Sequence, residues 1–84
     1  MTFIELQIKE KYLLSLLERL CLDIREYMAY PCPSIDIFQL KYQYDYELGY
    51  LKRIQQAMRV YDIKVNKPIV LNPEFEKWLN SSVI

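Results

Sequence analysis

Two apolar runs at helical spacing, split by the segment "YPCPSID", confine this chain to few folds. Pro31 and Pro33 disfavour helix at the residues before them, so no single helix runs through the segment, and Ser34 or Asp36 beyond them can cap a second helix. Before the break, Phe3, Leu6, Leu13, Leu17, Leu20, Ile24 and Tyr27 repeat at heptad spacing, flanked by Leu14, Cys21 and Met28. Thr2 with Glu5 matches a capping box, and the spacing predicts a helix over 3–28. After the break, Ile37, Leu40, Tyr44, Leu51, Ile54, Met58 and Tyr61 form a second seam, Asp36 with Gln39 makes a second capping-box match, and a helix is predicted over 36–61. At 84 residues the chain forms one domain, 1–84. The predicted class is all-α: an antiparallel two-helix hairpin over 3–61, followed by an extended C-terminal arm and a short third helix within 62–84.

A strand reading competes in two places. From Leu40 to Tyr50, apolar or aromatic residues alternate strictly with Lys41, Gln43, Asp45, Glu47 and Gly49, and tyrosine favours strands. The continuation from Glu47 to Arg59 is rich in good helix formers, and an eleven-residue strand is unusually long, which favours the helix. Near the start, Ile4, Leu6 and Ile8 alternate with Glu5 and Gln7 before Lys9-Glu10-Lys11. In that form the opening resembles the strand-helix-helix layout of ribbon-helix-helix repressors and antitoxins, whose paired N-terminal strands enter the DNA major groove. The resemblance lies in the order of elements over about the first 60 residues and implies no functional residues here, because an "ELQI" ribbon has no basic side chain to reach bases or phosphates.

Both seams contain one acid, Glu10 in the first and Glu47 in the second. Antiparallel pairing sets Glu10 near residue 53 and Glu47 near residue 15, so each is expected at a wet edge or beside a lysine or arginine. The second helix carries five of the eight tyrosines. Tyr44 and Tyr61 belong to its seam, whereas Tyr42, Tyr46, Gly49 and Arg53 follow one another at spacings of three and four on the far side, with Tyr50 adjacent. This helix asks to be covered twice. Gly49 is the only glycine and suggests close approach of another element.

Beyond Tyr61, "DIKVNKPIVLN" reads as an extended arm or a small hairpin. Asn72 before Pro73 is a helix opening, and Phe75, Trp78 and Leu79 line one side of a short helix ending near Asn80. An arm of this length spans roughly 30 Å when extended, so Phe75, Trp78 and Leu79 are expected to pack on the tyrosine stripe around Gly49, in the same chain or an exchanged one.

Eleven basic and eleven acidic residues cancel. Residues 52–67 are nevertheless net +4, with Lys52, Arg53, Arg59, Lys64 and Lys67 against Asp62 alone, which is either a helix-end complement to the dipole or a basic patch for an acidic partner. No uncharged run is long enough to span a bilayer, and the early charges break any secretory core, which indicates a soluble, cytoplasmic protein with reduced thiols at Cys21 and Cys32. The absence of histidine excludes Ser-His and Cys-His nucleophile systems and histidine metal sites, and one glycine cannot supply a phosphate loop. Neither cofactor, metal nor enzymatic activity is expected, and Cys32 has no clustered base or cation to activate it.

The expectation is a non-enzymatic interaction or adaptor/regulatory module that binds another protein, or itself as a homo-oligomer, through Tyr42, Tyr46, Gly49, Tyr50, Arg53, Phe75 and Trp78. These are residue types that dominate binding hot spots. The alternative is a small nucleic-acid-binding regulator acting through 52–67 or an N-terminal strand.

Overall fold

The computed structural model describes residues 2–68, 70–71 and 73–82, with the side chains of Glu76, Trp78, Leu79, Asn80 and Ser82 outside that description. The described residues form three helices, α1 (Phe3–Ala29), α2 (Ile37–Val60) and α3 (Pro73–Ser82). The described residues contain no strand. Both strand readings give way to helix, because Ile4–Ile8 lies inside α1 and Leu40–Tyr50 inside α2. The N-terminal ribbon therefore does not form, and the DNA-binding route through it is lost.

The first cap forms as its sequence indicates. Thr2 Oγ1 accepts from the Glu5 amide at 3.3 Å and the Glu5 carboxylate accepts from the Thr2 amide at 3.5 Å, which satisfies two of the helix's orphan donors. At the start of α2 the Asp36 carboxylate accepts from the amides of Phe38 and Gln39. Asn72, expected to cap α3, lies outside the described residues. α2 ends in a Schellman turn: the Ile63 amide donates to Met58 O and the Asp62 amide to Arg59 O, with Asp62 at φ 56° in the left-handed conformation usually taken by glycine.

α1 and α2 pack along the two seams, burying Leu6, Leu13, Leu17, Leu20 and Ile24 against Ile37, Tyr44, Leu51, Ile54 and Met58. The molecule measures 45 × 21 × 15 Å. That long axis is close to the roughly 40 Å of a 27-residue helix, so the hairpin sets the shape. The seam's ends depart from the pattern, since Phe3 and Tyr61 are exposed.

After α2 the chain runs extended along one flank of the hairpin. Ile63 and Phe75 join the core, with Val65 and Leu71 packed at its edge, and the Leu71 amide donates to the Tyr44 hydroxyl at 3.3 Å. Glu10 is the polar centre of this flank. Its carboxylate is only 4% exposed and accepts three hydrogen bonds, from Gln55 Nε2 (3.2 Å), the Asn66 backbone N–H (3.2 Å) and Asn66 Nδ2 (2.9 Å). Gln55 Nε2 also donates to Asn66 O at 2.7 Å. The expected wet edge or cationic partner for Glu10 is thus replaced by neutral amide donors from α2 and the arm. Among the described residues, no buried side-chain nitrogen or oxygen is left without a hydrogen-bond partner.

Candidate functional site

The arm settles on the Glu10–Gln55 side of the seam, and its course leaves the outer surface of α2 uncovered. Tyr42 is 70% exposed and Tyr46 64%. Gly49 and Arg53 are exposed beside them, and a Cβ built on Gly49 meets nothing within 4 Å among the described residues. The arm does not pack as expected on the tyrosine stripe around Gly49. Phe75 is 1% exposed within the hydrophobic core rather than on the tyrosine stripe, and among the described residues no neighbour makes use of the missing side chain at Gly49. The corresponding expectation for the side chains of Trp78 and Leu79 lies outside the described residues.

Helix phase explains why the arm cannot cover both surfaces. Tyr46 and Tyr50 lie about 180° and 140° round α2 from Gln55, and on α1 Lys9 and Tyr12 lie about 100° and 160° from Glu10. A chain tethered through Asn66 to Glu10 and Gln55 is therefore held on the far side from these residues. The opposite flank keeps an open groove between the helices, lined by Lys9, Tyr12 and Leu13 of α1 and by Tyr46, Glu47 and Tyr50 of α2. Tyr50 is half-buried, and the Lys9 ammonium stands 5.7 Å from its ring centroid, within reach of the ring's negative face. Glu47, the acid of the second seam, sits half-buried at this groove's edge.

Four of the seven expected site residues, Tyr42, Tyr46, Gly49 and Arg53, thus share one exposed helix face, and Tyr50 joins it to the groove. Phe75 is brought elsewhere. Sequence reasoning missed Lys9 and Tyr12, although Tyr12 stands outside the first seam and was therefore free to line a second surface. Nearby, Lys41 Nζ holds the Asp45 carboxylate at 2.7 Å, an ion pair one helical turn apart.

The basic residues do not gather into one patch on α2. Lys52 and Arg59, seven residues apart, share a side, while Arg53 lies about 100° from Lys52. All three are exposed, as are Lys64 and Lys67 on the arm. Cys21 is buried and burial pushes its thiol pKa up. Cys32 lies in the loop, and its thiol is lowered by its contact with the Ser34 hydroxyl at 3.0 Å, an influence that neither a base nor a cation supplies. Burial likewise raises the Tyr44 phenol.

No described helix is long and apolar enough to cross a membrane. Comparison of the chain with protein-family models, with curated proteins and with solved structures finds no match. Tyrosine rings offer apolar area with two side-chain torsions to fix and a hydroxyl that hydrogen-bonds at the rim, a combination suited to a protein surface.

Proposed function

We propose that this chain is a small, non-enzymatic protein-interaction module of adaptor or regulatory type, working in the cytoplasm, whose binding surface is the outer face of α2 together with the adjoining groove. The observation that carries this reading is the exposure of Tyr42 and Tyr46 beside an open Gly49, on a helix whose other side is already packed. Monomeric proteins rarely leave contiguous aromatic surface in water without a use for it. Tyr42, Tyr46, Tyr50 and Arg53 make the contacts. Phase and burial give Phe75 a different part, that of fixing the arm on the far flank so that this face stays clear.

The second reading, a nucleic-acid-binding regulator, retains the exposed lysines and arginines of 52–67 but not the N-terminal ribbon. Capture of partners by the wild-type chain and by a Tyr42→Ser/Tyr46→Ser chain, each at low and high salt, tests the two together. Binding lost on the tyrosine changes and steady against salt is the expected result. Binding that survives those changes and falls steeply with salt overturns it in favour of phosphate contacts.

A further inference from the structure

The geometry points to a second copy of this chain as the occupant of the face, seated by antiparallel pairing of two α2 helices across a two-fold axis at Gly49. This rests on the protein-binding reading above and adds the partner and its register. The outer stripe of α2 is symmetric about Gly49. Asp45 and Arg53 stand four residues to either side, Tyr42 and Gln56 seven, and Phe38 and Val60 eleven. At 100° per residue all six fall within about 40° of Gly49 on the helix surface. All of them are exposed, Phe38 at 50% and Val60 at 77% despite being apolar.

A two-fold axis through Gly49 sets residue i of one copy against residue 98 − i of the other, since 49 + 49 = 98. Each pair that results is complementary and occurs twice, as an isologous interface requires. Asp45 meets Arg53, so opposite charges face each other; Tyr42 meets Gln56, a hydroxyl against an amide; and Phe38 meets Val60, apolar against apolar. Lys41 already holds the Asp45 carboxylate from within the chain, and the carboxylate keeps lone pairs for an incoming guanidinium. At the axis the two glycines let the backbones approach closely where any side chain would hold them apart. The contact runs about 33 Å, from Phe38 to Val60.

Charge placement favours a second copy over an acidic or basic partner. The stripe carries one acid and one base at equal distances from Gly49, so a partner of uniform sign meets a like charge at one of the two positions. A copy rotated by 180° meets an opposite charge at both.

Sedimentation of the full chain at micromolar concentrations is expected to give a dimer. Gly49→Leu is expected to give a monomer with its helical content intact, because a side chain at that position meets no described residue of its own chain. Asp45→Arg and Arg53→Asp should each weaken self-association by at least about ten-fold, through two like-charge contacts per dimer. Mixing the two variants should restore association as a heterodimer, since each then offers the charge that the other lacks. A wild-type monomer of 10.2 kDa, or a dimer indifferent to Gly49→Leu and to the charge swaps, overturns the proposal. A monomer that still captures a partner through Tyr42 and Tyr46 overturns the self-pairing alone, whereas a chain that neither dimerises nor captures overturns the protein-binding reading with it.

Discussion

Gln55 donates its side-chain amide to the carboxylate of Glu10 at 3.2 Å, joining the last third of α2 to the first third of α1 across 45 residues of sequence. Asn66 closes the figure by donating twice to the same carboxylate and accepting from the same Gln55 amide. Three segments that share no local structure are thus fixed in register by one buried acid. Apolar packing alone tolerates some sliding of one helix along another, but hydrogen bonds at these distances do not.

Glu10→Ala is accordingly expected to destabilise the chain by about 1–3 kcal/mol, because it opens space beside the buried Gln55 and removes the three hydrogen bonds that pin the arm, while Asn66, itself exposed, can turn its donors to water. Glu10→Gln keeps the shape and, with the Asn66 amide reversed, keeps most of the hydrogen bonds, so its loss should be smaller, on the order of 1 kcal/mol. Urea unfolding of both variants, with hydrogen exchange at the Asn66 amide, checks this. An alanine variant as stable as wild type would remove the network from any account of how the arm is held.

Asp62 takes φ 56° at the end of α2, a conformation in which a side chain crowds the backbone. Asp62→Gly should therefore raise stability by about 0.5–1 kcal/mol, the unfolded-state freedom of glycine offsetting part of the relief, and Asp62→Val should lower it by more than that. A shift in the thermal midpoint in the opposite direction for either variant would show that the Asp62 side chain stabilises the turn by some other contact.

The caps and seams explain how much of this fold the sequence made legible. Thr2 with Glu5, Pro31 with Pro33, and Pro73 mark helix ends through local chemistry, and local chemistry is what a sequence displays. Glu10 shows the limit. Its place on an apolar seam is visible from periodicity, but its donors lie 45 and 56 residues away and no spacing rule connects them. Phe75 shows a second limit: helical spacing gives its helix a stripe without saying which surface that stripe meets. On the site, Tyr42, Tyr46, Gly49 and Arg53 were legible as one face because they share a helix, whereas the groove joining them to Lys9 and Tyr12 depends on how two helices pack.

The buried phenol and thiol make stability sensitive to alkali. Burial raises both the Tyr44 and the Cys21 pKa, so the unfolded chain loses these protons before the folded one does. Their contribution is complete below about pH 8 and is lost as pH rises through the folded-state values. Urea midpoints measured from neutral to strongly alkaline pH should fall, and Tyr44→Phe should flatten the decline at its upper end. In the same chain Cys32, lowered by Ser34, should react with a thiol reagent well before Cys21, which is shielded in the core.

Among the described side chains of α3, Phe75 is the one buried in the hydrophobic core. It is 1% exposed within a cluster that includes Leu6, Leu13 and Tyr44, whereas Gly49 and the rings of Tyr42 and Tyr46 stand open to water on another side. Removing a buried phenylalanine typically costs about 3–5 kcal/mol, so Phe75→Ala should lower the urea midpoint substantially in a protein this small. Truncation after Lys64 should cost more, because it removes the Asn66 donors and Phe75 together and exposes the apolar flank that they cover. Tyr42→Ser/Tyr46→Ser, by contrast, changes residues already in water and should stay within about 0.5 kcal/mol of wild type in dilute solution. The contrast between these variants separates the two flanks. A Phe75→Ala loss as small as that of the tyrosine variant would mean that the arm is undocked in solution, and a tyrosine variant as damaged as Phe75→Ala would mean that the arm covers the aromatic face.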